Sequence, residues 1–239
     1  SVVVAGNVRR SAEIALGSPF DADYLNAKRW DLGNIPTHRA MSNNSVVTSN
    51  IAGIPEVFWE GYHGNGEPYG LFNLDASRKY GRRNEIREDK SIEGTNPCAE
   101  IGLANRESCN LAEIMLPNIE SQEELIDIAK LLYKIQKAVS ALPALDRESD
   151  EITSKNMRLG LGVTGVTQSL EKLEWLSPTY EALRDFDRHW STYKEWPISV
   201  RLTTIKPSGT LSLLAGVTPG IHPGYSTHHI RRVRMAATD

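Results

Sequence analysis

Residues 94–100 read Gly-Thr-Asn-Pro-Cys-Ala-Glu, and this stretch decides how the rest of the 239-residue sequence is interpreted. A flexible glycine, a proline with a fixed φ angle and two polar residues surround one thiol, which is typical of a loop. If the segment is extended, Asn96 and Glu100 lie two positions either side of Cys98 and project to the same side. We therefore expect an amide, a thiol and a carboxylate in a row facing a cavity.

This triplet suits chemistry on a diol, because the amide and carboxylate can bind hydroxyls while the thiol faces the carbon between them. A cysteine protease would need a histidine base, and none of the six histidines is near Cys98 in sequence, although folding could bring one close. A phosphatase-like thiolate would need an anion cradle directly after the cysteine, where Glu100 supplies an acid. An inert buried thiol is the remaining alternative.

The second cysteine, Cys109, follows eleven residues later within Glu-Ser-Cys-Asn-Leu. Two cysteines are too few for a secreted disulfide scaffold or a structural zinc site. The histidines His222, His228 and His229 have no cysteine or carboxylate at ligand spacing. The sequence therefore predicts no metal site, and Cys109 is either inert or part of the thiol chemistry.

Composition excludes several function classes. The net charge of −3 provides no basic field for direct nucleic-acid binding. No apolar run approaches the roughly 20 residues of a membrane span, and the N-terminus lacks the basic region of a secretion signal, so we expect a cytoplasmic protein. The sequence starts without Met, and we expect one domain over residues 1–239 that belongs to a longer chain.

Local patterns predict helices and strands in alternation. Ser121 and Glu124 form a capping box that begins a helix. Its predicted buried face consists of Leu125, Ile128, Ala129, Leu132, Ile135, Val139 and Leu142. Strands are predicted at 159–164, before a turn at Gly165, and at 199–205, with a loop at 61–70. This alternation favours an α/β layer or barrel.

A second candidate site follows the strand predicted at 199–205. The stretch Lys-Pro-Ser-Gly-Thr-Leu-Ser at 206–212 opens a short helix, where free backbone N–H groups and hydroxyls can bind an anion. It is not a Walker A loop, and the alternative is a helix start with proline in the first turn and serine as the cap. The candidate phosphate-binding residues are Pro207, Ser208, Gly209, Thr210, Leu211 and Ser212.

These motifs together resemble a known family. Asn-Pro-Cys-x-Glu, with Glu-Ser-Cys-Asn-Leu placing a second cysteine eleven positions on, resembles the finger loop and following strand of ribonucleotide reductase catalytic chains. Further similar stretches lie at 4–13, 42–46, 65–68, 73–75 and 206–210. The combination most resembles the class II enzymes, which are adenosylcobalamin-dependent ribonucleoside-triphosphate reductases, over about residues 2–234.

The resemblance implies a ten-stranded α/β barrel with the cysteine loop threading its centre. Cys98 would become the thiyl radical that takes the 3′ hydrogen of the ribose, and Glu100 would be the base on the 3′ hydroxyl. Asn96 would hold the ribose hydroxyls, and Cys109 would form a disulfide with a partner thiol as the 2′ carbon is reduced. Residues 206–212 would cradle the substrate phosphates.

The resemblance also implies parts that this sequence lacks. The partner cysteine, the first barrel strands and the allosteric site for deoxynucleotide effectors belong upstream, and a cysteine pair that carries electrons from a thioredoxin-type reductant belongs downstream. We therefore expect a partial catalytic barrel domain. Two alternatives stay open: a fragment of a class I-type large chain, and a non-catalytic nucleotide-binding fragment that keeps residues 206–212.

Overall fold

The structure is a computed structural model that describes residues 2–4, 14–33, 35, 42–80, 88–144, 146–224, 226 and 228. The motif residues 5–13 and His229 lie outside these ranges. Within them the strands are β1 (Val2–Val4), β2 (Ile14–Gly17), β3 (Asn43–Thr48), β4 (Gly70–Asn73), β5 (Gly94–Thr95), β6 (Gly102–Leu103), β7 (Leu111–Met115) and β8 (Gly160–Thr164). The helices are α1 (Ala22–Asn26), α2 (Glu56–Asn65), α3 (Leu74–Lys79), α4 (Gln122–Ser140), α5 (Arg147–Asn156), α6 (Leu173–Lys194) and α7 (Leu211–Leu214).

Parallel pairing dominates the strands that carry the fold. Strands β2, β3 and β4 are parallel neighbours, while β1 runs antiparallel to β2. Strands β7 and β8 form a second parallel pair, and β5 and β6 form an antiparallel hairpin. Parallel strands need long crossover connections, which here contain helices. The α/β class predicted from the sequence is therefore confirmed.

Helices α4 and α6 cover one face of the β7–β8 pair. The core between them contains Ile114, Leu161, Leu125, Tyr133 and Leu183, all buried. Because side chains alternate along a strand, the residues between these apolar positions project from the opposite face. Among the described helices, including the 22-residue α6, no segment has the length and hydropathy for a bilayer crossing.

The helix predicted after Ser121 is present, with its cap. Ser121 Oγ accepts the Glu124 N–H at 3.1 Å, and the Glu124 carboxylate accepts the Glu120 N–H at 2.6 Å. The predicted buried face is wrong in the second half of α4, where Ile135 and Val139 are exposed, and Leu142 lies beyond the end of the helix and is also exposed. The buried residues there are Tyr133, Gln136, Lys137 and Ser140.

Polar partners on neighbouring segments explain this rotation of the buried face. Lys137 Nζ lies 3.0 Å from Asp187 on α6 and donates to Ser199 Oγ at 2.7 Å. Tyr133 also donates its hydroxyl to Asp187, at 2.5 Å. Buried charges require partners, so these contacts outweigh the apolar pattern. Because Asp187 also accepts the Ser199 N–H at 3.0 Å, the network fixes the start of the 199–205 segment.

Three other predictions had mixed outcomes. Strand β8 and the left-handed turn at Gly165, with φ of +75°, are confirmed. The predicted loop at 61–70 is wrong over 61–65, where α2 continues to Asn65, and is confirmed over 66–69, which begins at the helix C-cap Gly66 with a φ of +75°. The predicted strand at 199–205 is reduced to a single parallel bridge between Thr203 and Leu161.

Candidate active site

The predicted thiol loop is the tip of a hairpin. Residues 96–101 connect β5 to β6. The Ala99 N–H donates to the Asn96 carbonyl at 2.9 Å, and Ala99 has a φ of +59°. The prediction of one extended stretch is therefore wrong, because a tight turn with a left-handed residue replaces it. The turn projects Cys98 from the hairpin, where the residue is exposed.

Asn96 supports the loop from inside. It is buried, and its Oδ1 atom accepts the Ile101 N–H at 3.4 Å and the Thr95 hydroxyl at 3.5 Å. Thr95 also donates to the Ile101 carbonyl at 3.0 Å. The carbonyl oxygen of the amide is thus engaged within the hairpin, and the side chain also hydrogen-bonds Cys109.

Two barrel segments hold the loop from outside. Asn43 on β3 donates its Nδ2 to the Pro97 carbonyl at 2.5 Å. On the other side, Thr204 donates its hydroxyl to the Glu100 carbonyl. Asn43 belongs to a motif that the sequence analysis singled out, but its contact with the thiol loop spans 54 residues and has no local sequence signal.

The Cys98 thiol has a raised pKa. Desolvation by the surrounding loop is the largest cause, the Glu100 carboxylate adds to it, and the Lys206 ammonium opposes it. Among the described residues, Glu100 Oε2 is a buried atom without a hydrogen-bond partner. The loop therefore presents a protonated thiol beside a carboxylate oxygen with unused bonding capacity.

Cys109 belongs to the same cluster. Its pKa is raised by desolvation first and by the Glu100 carboxylate second, with a smaller contribution from Cys98, while hydrogen bonding to the Asn96 side chain lowers it. The thiol is exposed and free. The structure thus brings together Asn96, Cys98, Glu100 and Cys109, which were predicted as one constellation.

Residues flanking Cys109 anchor it on both sides, and their roles were not predicted from the sequence. Buried Glu107 accepts Arg158 Nε at 2.9 Å. On the other side, Asn110 donates to the Gln136 carbonyl at 2.6 Å and Gln136 returns a bond to the Asn110 carbonyl at 2.9 Å. Glu107 and Asn110 flank Cys109 in the quoted motif, which was the available signal.

Arg158 is the centre of a buried charge network beneath the thiols. Its Nη1 atom lies 2.8 Å from Asp89, and its Nε atom lies 2.9 Å from Glu107. Asn156 donates to the second Glu107 oxygen at 2.9 Å, and Ser91 donates to Asp89 at 2.6 Å. Apart from Ser91 and Asp89, which are two residues apart, each of these contacts joins residues at least 49 positions apart, so no local pattern could have indicated them.

A cavity of about 180 Å³ lies beside the inner part of the thiol loop. Its lining includes apolar and polar side chains from four segments: Phe72, Tyr80, Glu100, Ile101, Arg201 and Thr203. Cys98 is not part of this lining. The cavity therefore adjoins the carboxylate side of the loop and leaves the thiol on the open side.

The predicted anion loop leads into α7. Ser208 is buried with a φ of +52°, and within the described part of the chain its Oγ has no hydrogen-bond partner. Ser212 Oγ donates to the Ser208 carbonyl at 2.5 Å. The residue before α7 is Thr210, whose side chain makes no capping bond, so the serine-cap alternative is wrong. The loop packs closely against Gly220, because any side chain at this position would overlap the Lys206 carbonyl.

The family follows from comparison with known proteins. A family profile described as ribonucleotide reductase, barrel domain, matches residues 17–188. The chain belongs to the ribonucleotide reductase family. An adenosylcobalamin-dependent ribonucleoside-triphosphate reductase from Lactobacillus gasseri is 35% identical to this reductase chain, over 99% of the chain and 36% of the relative. The chain therefore spans about a third of the length of such relatives.

Solved structures agree on the fold of this reductase chain. A B-12-dependent class II ribonucleotide reductase superposes with a TM-score of 0.76 and 32% identity, over 89% of this chain and 34% of that one. The class Id α subunit from Actinobacillus ureae has a TM-score of 0.61 at 19% identity, covering 90% and 49%. The second likeness concerns the fold alone. The expectation that this chain is part of the reductase barrel is confirmed.

Proposed function

We propose that the protein reduces ribonucleoside triphosphates to 2′-deoxyribonucleotides for DNA synthesis, through a thiyl radical at Cys98. The observation that carries this proposal is the thiol hairpin. It places an exposed Cys98 beside Glu100, which has a buried oxygen without a partner among the described residues, and within electrostatic reach of Cys109. A raised pKa keeps the thiol hydrogen in place at neutral pH, and that hydrogen is what radical chemistry requires.

Each residue takes one role in the reaction. The Cys98 sulfur, after losing its hydrogen atom, abstracts the hydrogen from C3′, and Glu100 accepts the 3′-hydroxyl proton. The 2′ oxygen leaves as water. Two electrons and two protons come from Cys109 and a partner thiol, which form a disulfide. Cys98 returns the hydrogen to C3′, and Glu100 returns the proton to the 3′ oxygen. Asn96 donates through its NH₂ group to a ribose hydroxyl oxygen.

The 206–212 loop is the proposed phosphate site. Donors and positive charge come from Ser208 Oγ, which has no partner among the described residues, from the exposed Thr210 and from the Lys206 ammonium. Because Thr204 binds the Glu100 carbonyl two residues before Lys206, the loop starts next to the thiol hairpin. Phosphates bound there would place the ribose of the same nucleotide near Cys98.

The proposed radical source is adenosylcobalamin, following the names of the relatives. When bound, it would supply the radical that removes the Cys98 hydrogen. The exposure of Cys98 at the hairpin tip fits this requirement, since the sulfur can be reached from outside the loop. Cys98 is the residue that would meet the reactive group.

Further parts of the proposal concern segments outside these 239 residues. With Cys98 assigned to the radical, the partner of Cys109 must be a cysteine beyond the two present. A thioredoxin-type dithiol would reduce this disulfide back to two thiols and would itself be oxidised, and a deoxynucleotide effector would bind elsewhere in the catalytic chain. We place the reaction in the cytoplasm, where thiols are kept reduced.

The function is tested by following deoxycytidine triphosphate formation from CTP in the full-length protein with adenosylcobalamin and a dithiol reductant. We expect no product from Cys98→Ser, because a hydroxyl hydrogen is not abstracted in its place. Cys109→Ser should permit at most one incomplete catalytic cycle. Multiple turnovers in either variant would contradict the assigned roles.

A further inference from the structure

Glu113 on β7 has a buried carboxylate with no assigned role. It occupies the middle of β7, between Ala112 and Ile114, which pack on the α4–α6 side. Alternation along the strand therefore directs Glu113 to the opposite face. Both carboxylate oxygens are buried, and neither has a hydrogen-bond partner among the described residues.

Glu113 lies on the same face as residues of the proposed substrate site. Its neighbour across the strand pair is Gly162, where a methyl group would lie 3.3 Å from Lys206 Cγ. At Gly160, a methyl group would lie 3.4 Å from Ile101 Cδ1 of the thiol loop. The side chain of Glu113 thus projects from the face that is bordered by the thiol loop at one end and by Lys206 at the other.

A buried carboxylate without partners is costly, so its place indicates a ligand that donates hydrogen bonds. Phosphates would repel it. Under the proposed function, the phosphates lie at the 206–212 loop and C3′ lies at Cys98, so the ribose lies against the face that carries Glu113. The donors of a ribose are its 2′ and 3′ hydroxyls.

The two hydroxyl protons need two acceptors. Asn96 Oδ1 already accepts from Ile101 and Thr95. The NH₂ group of Asn96, which also hydrogen-bonds Cys109, can only donate. Glu100 accepts the 3′-hydroxyl proton in the proposed reaction. The 2′-hydroxyl proton is left without an acceptor among the residues assigned so far.

We propose that Glu113 is a further substrate-binding residue, which accepts the hydrogen bond of the ribose 2′ hydroxyl. This inference rests on the proposed function. It makes Glu113 a determinant of the preference for ribonucleotides over 2′-deoxyribonucleotides, because only a ribonucleotide carries the donor. A hydrogen bond to a charged group is worth about tenfold in affinity at the low end.

The test is a thermodynamic cycle in the full-length protein, in which the Glu113 carboxylate and the 2′ hydroxyl of the nucleotide are removed separately and together. The KM for CTP and the inhibition constant of dCTP are measured for the natural protein and for Glu113→Gln, with excess dGTP to saturate an effector site. In the natural protein, loss of the 2′ hydroxyl should weaken binding about tenfold. In Glu113→Gln this penalty should fall to about threefold or less, since an amide oxygen is a weaker acceptor than a carboxylate.

Matched controls separate the outcomes. Glu60→Gln, at an exposed position on α2, should retain the full tenfold penalty. An equal penalty in the natural protein and Glu113→Gln would overturn the role of Glu113, as would loss of the native circular dichroism spectrum in that variant. If Cys98→Ser still reduced CTP, the proposed function would fail first, and the two failures are therefore distinguishable.

Discussion

Replacing Arg158 with methionine should destabilise the protein strongly, because this guanidinium neutralises two buried carboxylates. Arg158 contacts Asp89 at 2.8 Å and Glu107 at 2.9 Å, and all three side chains are almost fully buried. Removing one member of a buried ion pair typically costs about 3–5 kcal/mol. Asp89 would keep a more distant contact with Arg201 at 3.6 Å, and Glu107 would keep Asn156, so we expect about 3 kcal/mol.

The assay is urea-induced unfolding of the full-length protein, followed by circular dichroism. Arg147→Met is the matched control, because Arg147 pairs with Glu151 on the surface and its side chain is 91% exposed. It should leave the free energy of unfolding nearly unchanged. A loss below about 1 kcal/mol in Arg158→Met would refute the reasoning, since it would mean that the two carboxylates do not depend on Arg158.

The other predictions concern the thiols and the helix cap. With single-thiol variants, alkylation of Cys98 or Cys109 should reach half its maximal rate at a pH above that of a free cysteine, because desolvation and the Glu100 charge both disfavour the thiolate. Glu100→Gln should shift both midpoints to lower pH but not fully to the free value, and unchanged midpoints would exclude the charge contribution. Ser121→Ala should lower the free energy of unfolding by about 1 kcal/mol, measured by urea titration, because the Glu124 N–H loses its acceptor. No measurable change would mean that Ser121 Oγ is not the cap.

Local chemistry was sufficient to predict some of the site. Asn96, Cys98 and Glu100 lie within five residues, and Cys109 belongs to a motif that resembles the same family. The α4 cap is likewise encoded within four residues. These features could be predicted because their interactions depend on neighbours in sequence.

Other features depend on contacts between distant segments. Arg158 meets Asp89 across 69 residues, and Lys137 meets Asp187 across 50. The buried face of α4 follows from the second pair, since a buried ammonium needs its carboxylate more than Ile135 and Val139 need burial. The shape of the thiol loop was also missed, because the positive φ of Ala99 is not typical of alanine.

The position of Glu113 illustrates the same limit. Its sequence neighbours Leu111, Ala112 and Ile114 indicate only a strand. Its closeness to the thiol loop and Lys206 emerges when β7 pairs with β8, because Gly160 and Gly162 leave room for both. A carboxylate on a barrel strand therefore carries no functional signal until the strand register is known.

The central claim is that Cys98 carries the radical. Electron paramagnetic resonance of the full-length protein, frozen during reaction with adenosylcobalamin and CTP, tests it most directly. We predict a cobalt(II) signal that forms at least as fast as the deoxynucleotide product. The signal should be absent in Cys98→Ser and retained in Cys109→Ser. Product formation without this signal, or an equal signal in Cys98→Ser, would contradict the claim.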